Sequence, residues 1–285
     1  MPEARWWSVC EDGCSVRCGL CWHNCTITPG QKGLCGVREH SPYAGLRSSH
    51  LGRFVSIALD PVEKKPLRRW RPGTQILSLG GVGCNMRCPF CQNHEISMPE
   101  RPLTEKPVSP GELVAMSKEF GAHAVAYTYN EPTLQAEYIF AASPQLRDEG
   151  IATVMVTNGM FSREVCSEAA SGVDAMNIDI KAFDEETYRR LGGSLDVVTR
   201  NVERLISAGV HIELTCLIVP GVSDSADGFV RLVDWMAGLS PDVPLHISRY
   251  FPSYRYKAPP TDISLMRRFF NAAVEKLNYV YLGNV

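Results

Sequence analysis

The chain has 285 residues, 45% of them hydrophobic and 21% charged, which is enough to bury the core of one large domain with an appendage. Its formal net charge of -2 leaves no global basic field, and this disfavours nucleic acid as the main partner. No apolar stretch approaches the ~18 residues of a membrane span, and the first ten residues lack the apolar core of a signal peptide. A cytoplasmic protein is expected, whose eleven cysteines are reduced thiols or metal ligands rather than disulfides.

Six cysteines, Cys10, Cys14, Cys18, Cys21, Cys25 and Cys35, fall within residues 1–50. This stretch is rich in Gly and Pro and has too few periodic apolar residues for a core of its own. The spacing Cys18-x2-Cys21-x3-Cys25-x9-Cys35 supplies four ligands for a closed metal site, zinc or a second iron–sulfur cluster. Spacing does not choose the metal, thiol-only packing is the alternative, and Cys10 and Cys14 receive no role. Residues 51–73 read as a connecting segment. Its basic run, Lys64 to Arg71, is either a solvated face or a dock for an acidic electron donor such as flavodoxin.

Residues 74–285 alternate strands with helices. The apolar run Gln75 to Leu79 reads as a strand and leads into Gly83-Cys84-Asn85-Met86-Arg87-Cys88-Pro89-Phe90-Cys91. A C-x3-C-x2-C loop offers three thiolates where a 4Fe–4S cluster normally takes four. One iron is left without a protein ligand and open to a small molecule, which is the arrangement of a catalytic rather than a structural metal site. Helices are then expected at 110–120, 133–143, 162–171, 196–209, 226–237 and 262–277, and strands at 122–129, 152–157, 175–180, 212–219, 245–250 and 279–282. Repeated βα units with strands apolar on both faces imply a parallel sheet with right-handed crossovers. Six or seven units are fewer than the eight of a closed barrel, so the expected fold is α/β, a partial (β/α)6 TIM-like barrel. Cys166 and Cys216 read as core residues.

In such a barrel the site lies at the C-terminal mouth of the strands, where the apolar runs give way to Tyr129-Asn130-Glu131-Pro132, Thr157-Asn158-Gly159, Asp179-Ile180-Lys181 and Arg249-Tyr250. His246 and Arg249, with Glu213, are candidates for the remaining space, internal salt bridging being the alternative.

The three-cysteine loop, with an aromatic before its third cysteine, resembles the signature of the radical S-adenosylmethionine (SAM) superfamily. Together with Asp60 to Leu67, Tyr127 to Thr133, Thr157-Asn158-Gly159, Asp179-Ile180-Lys181, Arg249 to Pro252, Tyr279 to Val285 and the N-terminal Cys18 to Cys25 and Gly33 to Arg38, it resembles the radical SAM enzymes of the AmmeMemoRadiSam system. These are relatives of glycyl-radical activating enzymes such as pyruvate formate-lyase activating enzyme. The chain departs from that pattern in Arg68-Arg69-Trp70, where an aromatic/histidine pair is expected. The resemblance implies a radical SAM barrel in which Cys84, Cys88 and Cys91 hold a 4Fe–4S cluster and SAM binds at the open iron. Glu131 and Asp179 then accept from the SAM ammonium, Lys181 donates to its carboxylate, Asn158 or Thr157 meets the ribose, and the turn containing Asn130 and Glu131 stands where activating enzymes hold the methionine amino group. The implied activity is reductive cleavage of SAM to a 5′-deoxyadenosyl radical that abstracts hydrogen from an unidentified substrate, driven by an external one-electron donor, flavodoxin or ferredoxin. The alternatives are a glycyl-radical activating enzyme with a protein substrate and a non-catalytic iron–sulfur or zinc module.

Overall fold

The computed structural model describes residues 3–43, 45–98 and 104–285. Near the N-terminus β1 (Trp7–Val9), β2 (Val16–Cys18) and β3 (Thr26–Ile27) form an antiparallel sheet, and β4 (Arg38–Ser41) pairs with β5 (Gly45–Ser48). The chain then enters β6 (Ser56–Pro61), a 3₁₀ turn at Val62–Lys64, β7 (Gln75–Gly80), α1 (His94–Ser97) and α2 (Pro110–Glu119). Next come β8 (Ala124–Thr128), a second 3₁₀ turn at Pro132–Gln135, α3 (Ala136–Asp148), β9 (Ala152–Thr157), α4 (Arg163–Gly172) and β10 (Ala175–Asp179). The chain closes with α5 (Glu185–Arg190), α6 (Leu195–Ser207), β11 (His211–Ile218), α7 (Ala226–Leu239), β12 (Leu245–Arg249), α8 (Ile263–Val274) and β13 (Val280–Gly283).

Strands β7 to β13 stand in chain order as a parallel sheet, and β6 adds one antiparallel edge. Helical crossovers join the parallel strands, which makes the open (β/α)6 barrel expected from the βα repeats. Local chemistry starts the helices. Ser109 and Glu112 form a capping box on α2, while Ser162, Asp184, Ser225 and Asp262 accept from the first-turn amides of α4, α5, α7 and α8. The expected helix at 133–143 begins instead with a 3₁₀ turn and continues as α3 through Pro144 to Asp148. Several short elements escape the sequence reading: β1 to β5, α1, the edge strand β6 and α5, the last too short for a periodic pattern.

The two faces of the sheet are filled differently. Tyr127, Met155, Met176 and Ile178 join the helices and the N-terminal residues Val16, Leu20 and Ile27 in one continuous core. The N-terminal segment thus borrows its core from the barrel, as its composition requires. The opposite face carries Ile76, Ala124, Ala126, Ala152, Val154 and Ala175, which pack with Val62, Leu67 and Trp70. Short side chains leave room along the barrel axis, and the segment after β6 fills it.

This bears on two sequence expectations. The run Lys64 to Arg71 is more than a solvated face: Lys64, Arg68, Arg69 and Arg71 are exposed, but Lys65 and Leu67 between them are buried. Lys65 is 2% exposed with its ammonium 2.8 Å from Asp60, and the Arg68 and Arg69 peptides donate to Glu213 at 2.9 and 2.7 Å. The His246 and Glu213 pair does not face the remaining space. Glu213 also accepts from His211 and His246 at 3.0 and 2.6 Å. Burial works against the Glu213 charge, but these donors outweigh it and bring its pKa down to about 2. Both histidines and Glu213 start their strands, so the cluster ties the plug to the barrel's N-terminal end. Arg249 donates to the Thr261 carbonyl at 2.9 Å and covers the Phe251 ring.

With the lower barrel filled, the open space lies above the strands' C-terminal ends.

Candidate active site

The loop after β7 is shaped by its own residues and by neighbours on three sides. Gly83 has φ +86°, and a Cβ there would stand 2.9 Å from the Cys35 carbonyl oxygen, so the position demands glycine. Asn130 stitches this loop to the turn after β8: its Oδ1 accepts from Gly81 N at 2.9 Å and its Nδ2 donates to the Gly83 carbonyl at 3.0 Å. Arg87 N donates to the Leu191 carbonyl at 2.8 Å. Arg255 N and Ser253 Oγ, from the loop after β12, donate to the Pro89 and Cys91 carbonyls at 2.9 and 3.2 Å.

Held this way, Cys84, Cys88 and Cys91 line one cavity of about 240 Å³ with Glu131, Asp179 and Lys181. Asn130, Thr157 and Asn158 line it as well, as do Thr215, Ser248 and Asn284 on the far wall. Residues from the ends of β8, β9 and β10 therefore meet the cysteine loop at one mouth. Among the described residues no three of His, Cys, Asp and Glu converge as a single bound ion requires. A three-thiol rim on a shared cavity suits a polynuclear cluster, in which each thiolate takes its own iron.

The sequence candidates divide by what their polar atoms already do. Glu131 is 2% exposed. Its Oε1 accepts from Thr133 N, Thr133 Oγ1 and Thr157 Oγ1 at 2.9, 2.5 and 2.7 Å, and its Oε2 accepts from Asn158 N at 2.9 Å. Burial raises its pKa, with these donors pulling the other way. Asn158 turns to the cysteine loop: its Nδ2 stands 2.8 Å from Asn85 Oδ1 and 3.8 Å from Cys84 Sγ. Asp179 and Lys181 keep free faces. Their side chains are 29% and 19% exposed and pair at 2.8 Å. Burial opposes the charge on Lys181, but Asp179 and then Cys88 more than offset it and hold its pKa above the usual lysine value.

Burial dominates the thiols. It lifts the Cys84 pKa, with Glu131 adding, and pushes Cys88 up to about 11, with Lys181 working against it. A ligating thiol gives up its proton, so cations bound here displace protons that burial otherwise retains.

Three supports have roles that the sequence does not assign: Tyr188 is not singled out, and Tyr129 and Asn284 appear only within longer stretches. Tyr188 on α5 is fully buried, accepts from Lys181 N at 3.1 Å and donates to the Asp179 carbonyl at 3.4 Å, which fixes the end of β10. Tyr129 adopts φ +70° and donates to Asp60 at 2.8 Å, under the cavity it lines. Asn284 reaches the far wall beside Ser248 at 3.3 Å. Local pattern gives none of them its role, because each acts through a contact made by the folded chain.

The N-terminal cysteines also gather. Cys18 follows the β2 pairing toward Cys25, whose carbonyl accepts from Cys18 N at 2.9 Å. Cys21 forms a β-bridge with Phe161. Cys18 and Cys21 are buried, and Cys25 and Cys35 half-buried. Burial raises the Cys18 thiol, Arg38 opposes it, and Cys35 and Cys25 add to the rise; burial pushes Cys21 up to about 12, with Cys18 and Cys35 adding. Cys10 and Cys14 sit apart in the β1–β2 turn, where Cys10 N donates to the Ser15 carbonyl at 2.8 Å. Cys166 and Cys216 are core residues as expected, 1% and 3% exposed.

Comparison with known proteins bears on the family and the fold. Residues 78–233 match the family model of the Radical SAM superfamily. An uncharacterized protein of Methanocaldococcus jannaschii is 36% identical over the whole chain and 86% of its own length. A GTP 3′,8-cyclase of Haemophilus influenzae is 24% identical over 54% of this chain and 47% of its own, so the chain spans about half the length of that relative. A protein of M. jannaschii described as a glycyl-radical enzyme activating enzyme is 22% identical over 61% of this chain and 67% of its own. Among solved structures, a radical SAM methyltransferase from Sphaerobacter thermophilus superposes with a TM-score of 0.60 at 14% identity, over 98% of this chain and 76% of its own. Streptococcus suis SuiB bound to S-adenosylmethionine gives 0.56 at 16% identity, over 71% and 48%. At those identities the structures speak for the fold.

Proposed function

The chain belongs to the radical SAM superfamily, and from that premise we propose that Cys84, Cys88 and Cys91 hold a 4Fe–4S cluster whose open iron receives SAM in the cavity above β8, β9 and β10. The observation that carries this reading is the single cavity shared by three unbonded thiols and the exposed Asp179–Lys181 pair. When bound and reduced by an external one-electron donor, flavodoxin or ferredoxin, the cluster and SAM supply reductive cleavage of the sulfonium and a 5′-deoxyadenosyl radical for hydrogen abstraction.

The protein's own residues bind and orient. Lys181, kept charged by Asp179, meets the SAM carboxylate, and Asp179 accepts from the ammonium or a ribose hydroxyl. Glu131 offers the ammonium its Oε2, which carries a single hydrogen bond, while its Oε1 locks the ends of β8 and β9 together. Asn130 and Asn158 hold the cysteine loop at the correct height, and the Asn158 amide beside Cys84 Sγ favours a thiolate there. The plug below and the loop after β12 limit water around the reacting carbon.

The test is anaerobic reconstitution followed by measurement of 5′-deoxyadenosine under strong reductant. Cys88→Ala should abolish release, and full release from that variant overturns the assignment. A second reading, a glycyl-radical protein as substrate, draws on the likeness to the M. jannaschii activating enzyme. It predicts a stable glycyl doublet by electron paramagnetic resonance when reduced enzyme and SAM meet such a partner.

A further inference from the structure

One short hairpin after β12 grips the three-cysteine loop. Ser253 and Tyr256 form an antiparallel bridge, the turn between them passes through Tyr254 at φ +51°, and the Tyr256 hydroxyl donates to the Pro220 carbonyl at 2.6 Å. From this hairpin Ser253 Oγ donates to the Cys91 carbonyl at 3.2 Å, and Arg255 N to the Pro89 carbonyl at 2.9 Å. The Tyr254 ring stacks on His94 at 4.5 Å, and the Tyr256 ring meets Phe90 edge-on at 6.2 Å. Each residue from Ser253 to Tyr256 therefore touches the loop of Cys84, Cys88 and Cys91 or the helix α1 that follows it.

What this segment shows to solvent is basic and aromatic. Arg255 and Lys257 are exposed, Phe251 is 40% exposed, and the Arg255 guanidinium lies 4.9 Å from the centre of the Tyr254 ring. Residues 243–261 contain Arg249, Arg255 and Lys257 but neither Asp nor Glu, while the neighbouring α1 adds one exposed carboxylate, Glu95. The whole chain has a formal net charge of -2, so the patch is a local reversal of sign. It attracts an acidic partner where the rest of the chain does not, and thereby orients it. Aromatics beside arginine are also residue types that anchor protein interfaces, and a hairpin already fixed by its hydrogen bonds loses little freedom on binding.

Position separates this patch from the basic run at Lys64 to Arg71. That run lies at the N-terminal end of the barrel, where the Arg68 and Arg69 peptides meet Glu213 near the start of β11. The cysteine loop lies at the opposite end, a strand's length of about 17–20 Å away. Cys91 is half-buried, and its carbonyl is one hydrogen bond from the hairpin. A carrier seated on the run faces the plug, whereas one seated on the hairpin faces Cys91.

We propose that residues 251–257, with Arg255 and Lys257 as the charged contacts, form the docking surface for a small acidic one-electron carrier protein that reduces the cluster at Cys84, Cys88 and Cys91. The electron path rests on the function proposed above; the docking does not. One electron passes from the reduced carrier to the oxidised cluster, the carrier leaves oxidised by one electron, and no bond is made or broken.

The test uses the reconstituted full chain with flavodoxin as the acidic carrier. Calorimetric affinity for flavodoxin at low salt should weaken about 10-fold in Arg255→Glu, Lys257→Glu, and the difference from wild type should vanish at ~0.5 M salt. SAM cleavage is then measured both with flavodoxin, kept reduced by its reductase and NADPH, and with dithionite. The ratio of the two rates cancels any effect on the chemistry itself and should fall by a similar factor. Arg68→Glu, Arg69→Glu should change neither affinity nor ratio. The proposal is overturned if the wild type does not bind flavodoxin, if affinity and ratio survive reversal at Arg255 and Lys257, if their loss is independent of salt, or if they fall with reversal at Arg68 and Arg69 instead. A wild type that binds flavodoxin as expected yet cleaves no SAM with either reductant refutes the function proposed above and leaves the docking surface standing. Should the charge-reversed hairpin fail to fold, Arg255→Gln, Lys257→Gln should show a smaller loss in the same direction, and no loss there overturns the proposal.

Discussion

Replacing Glu131 with alanine tests the idea that one carboxylate fixes the mouth of the barrel. Glu131 accepts four hydrogen bonds, from two peptide amides and two hydroxyls. The hydroxyls of Thr133 and Thr157 can rotate to other acceptors, but the buried amides of Thr133 and Asn158 cannot. Each stranded amide costs about 1–3 kcal/mol, so the pair costs roughly 2–6 kcal/mol. Relief from burying a carboxylate returns part of this, leaving about 3 kcal/mol. In a chain of this size each kcal/mol moves the melting temperature by about 2–4 °C, so thermal unfolding under argon should show a fall of roughly 6 °C or more. Glu131→Gln should not restore stability, because an amide nitrogen must then face one of these donors. SAM affinity should fall in both variants, since Asn158 and the end of β9 lose their anchor. A drop below about 2 °C for Glu131→Ala would show that the amides have other acceptors and that the reasoning fails.

Other perturbations probe different layers. Leu67→Ala, in the axial plug and fully buried, should cost about 2–5 kcal/mol in urea unfolding at unchanged m, with a smaller loss pointing to a plug that collapses around the cavity. Lys181→Met and Asp179→Asn should each weaken SAM binding about 10- to 100-fold in equilibrium dialysis while the cluster absorbance stays; unchanged binding in both would remove them from the site. His50 donates to the Leu134 carbonyl at 2.8 Å, and burial is the main cause that brings its pKa down to about 4. Because the folded value lies below the unfolded value of about 6.5, the stability it contributes is complete above pH ~6.5 and is lost as pH falls toward 4, by about 3 kcal/mol in all. His50→Gln should flatten the stability–pH curve in that window, and an unaltered slope would mean that another group titrates there.

Much of this molecule was written locally. The three-cysteine spacing, the alternation of apolar strands with capped helices, and the polar residues after each strand depend on near neighbours in the chain. They therefore announced an open barrel and the positions at its mouth before any contact was known. Other roles needed the third dimension. Glu213 and His246 look like mouth residues in the strand pattern, but the register places them at the strand starts, where the Arg68 and Arg69 peptides complete their bonding. Glu131 and Asn158 look like free ligands, yet most of their polar atoms are taken by loops brought together by the sheet. Leu67 and Trp70 within the basic run pack into the barrel because Ala124, Ala126, Ala152 and Ala175 leave its axis open. The stapling of the N-terminal cysteine loop to Gly83 and Arg87 likewise depends on chain segments roughly fifty residues apart. Such pairings follow from volume and satisfied hydrogen bonds in the closed fold, and short-range sequence pattern carries no trace of either.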